Sequence, residues 1–187
     1  ENPGQLRHYS KWGLSDKRSL SFGHGPMTTN LAQLARAYLI FANDGALPSL
    51  KLIKNTYDDQ MQQVFTPEST QRITEILDSV VSMKGSGYRA VIDGYEVAGK
   101  TGTAEMVIDG KYSKDGAKRT YFVGFSPVIN PKYIMAVRLD YPKKCFVSWD
   151  PTLRNRCEGS NSAAMAFQKA MERILINDPE IQSKLES

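Results

Sequence analysis

Between residues 88 and 141 the chain alternates short β-prone runs with glycine, and this pattern constrains the fold more than any other feature. "YRAVIDGYEVAGKTGTAEMVIDGKY" breaks every few residues; "RTYFVGFSPVI" and "KYIMAVRLDYP" then follow as longer runs joined by the turn residues "INPK". Runs linked this closely pair antiparallel, so two or three antiparallel strands are expected. The flanking sequence supplies helices to cover them. "TTNLAQLARAYLIFANDG" puts Leu31, Leu34, Ala35, Tyr38, Leu39 and Ala42 on one stripe, with Thr28 or Thr29 as cap and Gly45 as stop. "TPESTQRITEILDSVVSMKG" starts with Thr66 before Pro67, repeats Ile73, Ile76, Leu77, Val80 and Val81, and ends at Gly85. "SNSAAMAFQKAMERIL" repeats Ala163, Ala166, Phe167, Ala170, Met171, Ile174 and Leu175 behind a Ser/Asn cap, with Pro179 beyond its end. Residues 1 to 27 show no sustained period and read as irregular chain. The order helix, helix, three strands, helix predicts an α/β protein, an antiparallel sheet covered by helices, with residues 1–187 forming one unit or the contiguous part of one.

At 187 residues, 41% hydrophobic and 24% charged, the chain can bury a sizeable core, and disordered or collagen-like classes are excluded. No run approaches the roughly 18 apolar residues of a membrane span. The opening "ENPGQLRHYS" lacks the basic-then-apolar layout of a signal peptide, so any targeting segment is expected outside this sequence. The net charge of +4 is scattered and comes without an aromatic-basic surface motif, so no nucleic-acid partner is expected. His8 and His24 lie far upstream of the two cysteines, Cys145 and Cys157, and cannot complete a zinc site with them. No metal and no other cofactor is expected. The cysteines are either two unrelated thiols or, in an oxidising compartment, a disulfide closing a short loop.

"DGYEVAGKTGTAE" holds the residues with chemistry in them. Read as Gly94-x-x-x-x-Gly99-Lys100-Thr101 it satisfies the phosphate-loop pattern of nucleotide hydrolases. That loop works by turning successive backbone N–H groups onto phosphates just before a helix begins. Here its interior would be Tyr95, Glu96, Val97 and Ala98, which are bulky and β-prone and include a carboxylate where phosphate charge belongs. Gly102 and Gly110 would open and close the following helix within about two turns. Asp140, at the end of "YIMAVRLD", is the candidate magnesium ligand of that reading. As a strand, the same residues make better sense. Thr101 and Thr103 then project from one side, about 7 Å apart along the chain, and two hydroxyls can flank one carboxylate. Gly102 between them leaves room for a substrate backbone, and Lys100 adds a positive charge. The stretch reads as an anion-recognising strand edge.

The order "SFGHGPMTTNLAQLARAYLIFANDG", "GSGYRAVIDGYEVAGKTGTAE", "YFVGFSPVINPKYIMAVRLDYP" resembles the C-terminal half of the transpeptidase domain of class B penicillin-binding proteins, above all their septal, division-specific branch. The resemblance runs from about Leu14 to Tyr141, and the terminal helix also has its expected place. It implies the serine β-lactamase and penicillin-binding fold and a periplasmic enzyme anchored in the inner membrane. Such an enzyme cross-links peptidoglycan stem peptides ending in D-alanyl-D-alanine through an acyl-serine, works with division proteins, and is acylated by β-lactams. On the matching motif, Lys100, Thr101 and Gly102 would be the third motif. Lys100 would supply the electrostatics of the proton network, Thr101 and Thr103 would bind the terminal carboxylate, and the Thr103 N–H would give half the oxyanion hole.

Two departures from the family pattern stand out. No serine in the sequence is followed three places on by lysine or two places on by asparagine, so the nucleophile motif Ser-x-x-Lys and the second motif Ser-x-Asn are absent. The expectation is a piece of a longer polypeptide whose earlier half carries the serine, this chain alone being inactive; the alternative is a noncatalytic penicillin-sensing or structural module. "KKCFVSWDPTLRNRCEGSN" is longer and more polar than the corresponding connection of septal relatives, with Phe146 or Trp149 as a candidate aromatic wall of the cleft. In a periplasmic setting, a Cys145–Cys157 disulfide would stiffen this connection.

Overall fold

The computed structural model describes residues 4–25, 27–51, 60–109, 111–113, 117–143, 145 and 157–185. Two small antiparallel pairs, β1 (Gln5–Leu6) with β2 (Met27–Thr28) and β3 (Ala46–Pro48) with β4 (Met61–Gln63), lie among the helices α1 (Leu14–Leu20), α2 (Leu31–Ala42) and α3 (Pro67–Val81). The main sheet follows. It consists of β5 (Ala98–Glu105), β8 (Lys118–Ser126) and β9 (Tyr133–Asp140) in the order β5-β8-β9, all antiparallel. A two-residue hairpin of β6 (Val107–Ile108) and β7 (Lys111–Tyr112) extends the turn between β5 and β8. Helices α4 (Ala163–Ile176) and α5 (Pro179–Leu185) complete the chain.

Strand alternation divides the core between the two faces of the sheet. Phe122, at the centre of β8, is fully buried on one face, where its ring meets that of Phe167 from α4 with centroids 4.6 Å apart. Ala164, Met171 and Leu175 complete the buried side of α4. On the other face, Ala98 and Phe125 pack against Leu77 and Ile73 of α3 and Tyr38 and Phe41 of α2. The sheet is thus covered on both sides, by α4 on one and by α2 with α3 on the other. β8, the middle strand, carries the longest buried run, Phe122–Ser126.

Several boundaries differ from expectation for local reasons. α1 forms where irregular chain was expected; its seven residues bury none of their number, so it leaves no apolar period to read. Neither Thr28 nor Thr29 caps α2. Asn30 does, its side-chain oxygen accepting the Gln33 N–H at 2.8 Å, while Thr28 is taken up in β2. Thr66 caps α3 as expected, accepting the Ser69 N–H at 3.2 Å. Ile76 (62% exposed) and Ile174 (36% exposed) lie off the buried stripes of their helices. Pro179 opens a further helix, α5, rather than only ending α4, because a proline at the first helical position loses no hydrogen bond.

Asp178 makes that second start possible. Its buried carboxylate accepts the N–H groups of Glu180 (2.9 Å) and Ile181 (3.3 Å), and also bonds Lys132 (2.8 Å) and the Tyr133 hydroxyl at the start of β9. The Lys132 ammonium, then the Tyr133 hydroxyl, hold this carboxyl well below the usual carboxylate range. A group with its folded pKa lowered contributes stability above the ordinary carboxylate pKa and loses it as pH falls through the folded value. Asp178→Asn should therefore be less stable than wild type at neutral pH, with the gap in urea midpoint narrowing below about pH 4. A gap unchanged by acidification would contradict this role. Phe167→Ala should cost about 3–5 kcal/mol in urea unfolding, against about 0.5 or less for Ile76→Ala.

Candidate active site

Lys100, Thr101, Gly102 and Thr103 occupy the middle of β5, and β5 is an edge: among the described residues only β8 pairs with it. The strand runs unbroken from Ala98 to Glu105, so no helix begins after Thr101 and the phosphate-loop reading fails. Asp140 is equally unsuited to magnesium, since its carboxylate is bound by Arg119 (2.9 Å) and Arg138 (2.8 Å). Those guanidinium groups, Arg138 foremost, keep it ionised well below the usual range.

Alternation places Lys100 on the α2/α3 side of the strand and Thr101 with Thr103 on the α4 side. The lysine does not remain there. Its ammonium folds over the strand and donates to the Thr101 carbonyl at 2.9 Å, which brings the charge to the open edge. In an antiparallel ladder a residue's N–H and C=O point to the same side, and every second residue shares that side. The Lys100 bond marks the Thr101 carbonyl as turned toward the open edge, so the Thr103 N–H faces it too.

Both threonine hydroxyls have partners. Thr101 Oγ1 lies 3.3 Å from Ser86 Oγ, on the loop leaving α3, and Thr103 Oγ1 accepts the Gly159 N–H at 3.0 Å. Accepting that bond leaves the Thr103 O–H available as a donor. Sequence pattern alone gives no role to Ser86 or Gly159. The "GSG" around Ser86 signals a close chain approach, whereas nothing near Gly159 in the sequence connects it with a strand more than fifty residues earlier.

Gly159 lies directly on the strand pair. A Cβ there would sit 2.6 Å from the Gly102 carbonyl oxygen and 2.8 Å from that of Tyr121. A set of short bonds holds the turn in place. Ser162 Oγ donates to the Glu158 carbonyl and accepts from the Thr120 hydroxyl at 2.9 Å, Asn161 Oδ1 accepts the Glu158 N–H at 2.6 Å, and Lys118 pairs with Glu158 at 3.7 Å. Cys157 is buried at the start of the turn, in a disulfide with Cys145 twelve positions earlier. Closing a loop of this size stabilises a fold by about 3 kcal/mol in the chain-entropy account. Phe146 and Trp149 lie outside the described residues. A hollow of about 690 Å³ near Gly4, Arg7 and Met27 touches none of Lys100, Thr101 or Thr103. Among the described residues no cluster of His, Cys, Asp or Glu could hold a metal, and no helix is long and apolar enough to cross a membrane.

Residues 1–172 match the profile of the penicillin binding protein transpeptidase domain. The chain belongs to that family. It is 39% identical over 144 residues to a probable peptidoglycan D,D-transpeptidase, PbpC, of Pseudomonas aeruginosa, covering 77% of this chain and 25% of the relative. It is 36% identical over 182 residues to the peptidoglycan D,D-transpeptidase FtsI of Buchnera aphidicola subsp. Baizongia pistaciae, covering 94% of this chain and 29% of the relative. The transpeptidase domain of Burkholderia pseudomallei penicillin-binding protein 3 superposes with a TM-score of 0.78 at 30% identity, over 94% of this chain and 51% of that one. The chain thus spans between a quarter and a third of the curated relatives' length and about half of the matched domain structure.

In this transpeptidase-family chain the two glycines of the site predict different sensitivities. Gly159→Ala drives a methyl into backbone oxygens that cannot rotate away, and should cost about 1–3 kcal/mol in chemical unfolding. Gly102→Ala meets only the Tyr121 side chain, at 3.3 Å, and should cost less. The reverse order would contradict the docking of the turn on the sheet.

Proposed function

We propose that this chain is the third-motif part of a serine-type peptidoglycan D,D-transpeptidase domain acting in septal wall synthesis, on the periplasmic side of an inner-membrane anchor. The observation that carries the reading is the open edge of β5, where one cation, two hydroxyls and a backbone N–H converge on a single strand. Terminal carboxylates of stem peptides and of β-lactams share the chemistry that such an edge recognises: two O–H donors beside an ammonium.

In the proposed reaction a serine Oγ attacks the penultimate D-alanine carbonyl, and the peptide bond breaks with loss of the terminal D-alanine. An amine of a neighbouring strand then attacks the ester and frees the serine. Thr101 and Thr103 hold the carboxylate that positions the carbonyl, the Thr103 N–H stabilises the oxyanion, and Lys100 supplies positive charge beside the serine's proton network. The sequence has no Ser-x-x-Lys and no Ser-x-Asn, so the nucleophile and the second motif are assigned to the remainder of the domain, beyond this sequence. The exposure of Leu6, Phe22 and Met27 in the N-terminal segment supports an apolar packing partner there. Division proteins are the proposed partners of the whole polypeptide.

Fluorescent penicillin should label covalently a polypeptide that joins this chain to the serine-bearing part, and should not label this chain alone. Labelling of the isolated chain would overturn the assignment of the nucleophile; no labelling of the joined polypeptide would favour a noncatalytic module. Lys100→Ala in the joined polypeptide should slow acylation by about 100-fold or more, the scale of losing a preorganised electrostatic contact. Unchanged acylation would remove Lys100 from the site.

A further inference from the structure

The turn that carries Gly159 has no function in the reaction as proposed above, yet its amide is the direct partner of Thr103 Oγ1. The residues on either side of this amide fasten the turn to the rest of the fold. Downstream, Ser162 is fastened to Thr120 on β8 and α4 begins at Ala163. Upstream, Glu158 is bonded to Asn161, Ser162 and Lys118, and the covalent attachment is the disulfide: Cys157 is buried two residues before Gly159, and its partner Cys145 follows shortly after the end of β9 at Asp140. The turn is therefore held between a helix start and a covalent bond. Both ends tie it to the same sheet that contains Thr103.

We propose that the Cys145–Cys157 disulfide is a positioning tether for the anion-binding edge, holding the Gly159 amide on Thr103 so that the threonine hydroxyl stays aimed at the ligand carboxylate. The inference rests on the reading of β5 as the carboxylate-binding wall. Gly159 N–H occupies an acceptor position of the Thr103 oxygen and so fixes the rotamer and the direction of its remaining O–H. With the disulfide cut, the upstream end of the turn loses its covalent attachment, and a turn seated with no space for a Cβ can lift without breaking any strand pairing. Thr103 then samples other rotamers and donates to the carboxylate less often. Neither cysteine touches the ligand; both act through Gly159 and Thr103.

The test uses the joined polypeptide with its serine, in three forms: wild type, Cys145→Ser/Cys157→Ser, and wild type treated with a dithiol reductant. The dithiol supplies two electrons and two protons, leaves as its own disulfide, and converts the two cysteines to thiols. Acylation by a penicillin bearing the usual carboxylate is followed over a range of concentrations. Loss of the tether should raise the half-saturating concentration about three- to tenfold, the span of one neutral hydrogen bond, with the limiting acylation rate changed much less. In a Thr103→Ala background the same loss should have no further effect, because the group it positions is gone. A purely structural contribution would lower acylation equally in both backgrounds and would overturn the proposal, as would equal half-saturation with and without the bond. If the serine variant does not fold, the reduced wild type, kept below its melting temperature, answers the same question. Should oxidised wild type fail to acylate at all, the failure belongs to the functional reading rather than to the tether.

Discussion

The structure depends first on the eight-residue antiparallel pairing of β5 with β8, from Ala98 opposite Phe125 to Glu105 opposite Lys118. That register decides which face each residue takes, and a slip of one position would exchange them all. It sends Ala98 and Phe125 into the core with α2 and α3, and it places Thr101 and Thr103 on the side where α4 and the Gly159 turn dock. It also spends only one edge of β5. Among the described residues no strand pairs with the other edge, which is the geometry that the proposed ligand contact requires. Packing, and the recognition proposed for this strand, both follow from one ladder.

The site is assembled from segments that are far apart in sequence but rigidly tied to this strand. Ser86 arrives on the loop after α3, whose Gly87 N–H bonds the Val80 carbonyl at 2.8 Å, and Gly159 arrives on the turn before α4. Helix α4 is in turn fixed by Phe167 on Phe122 and by the Asp178 cluster that joins its end to Lys132 and Tyr133. Removing any of these supports acts on the edge through the backbone. This is the economy of a site built on strands and helices rather than on free loops.

The sequence made the middle of the chain legible because strands and long amphipathic helices leave periodic signals. Alternation around Lys100 identifies β5, and the glycines beside it exclude a helix. The apolar spacing of Phe167, Met171 and Leu175 identified α4 and its buried side. What stayed hidden was either too short or too distant in sequence. α1 has seven residues and buries none, so no period could mark it. Asn30 displaced the threonines as cap of α2 because Thr28 pairs in β2, a tertiary fact. The bond between Gly159 and Thr103 spans 56 positions, and no local pattern encodes such a contact. Lys100 is legible as the cation of this strand, whereas its fold-over onto the Thr101 carbonyl depends on the strand being an edge.

The central claim is that the open edge of β5 is the ligand-binding wall of a transpeptidase cleft. Amide hydrogen exchange, residue by residue, in the serine-bearing polypeptide before and after acylation by a β-lactam, tests it most directly. The account predicts that the Thr103 amide, unpaired by β8, exchanges readily in the free protein and becomes strongly protected in the acyl-enzyme, while amides already bonded to β8 change little. A Thr103 amide whose exchange is the same in both states would contradict the account.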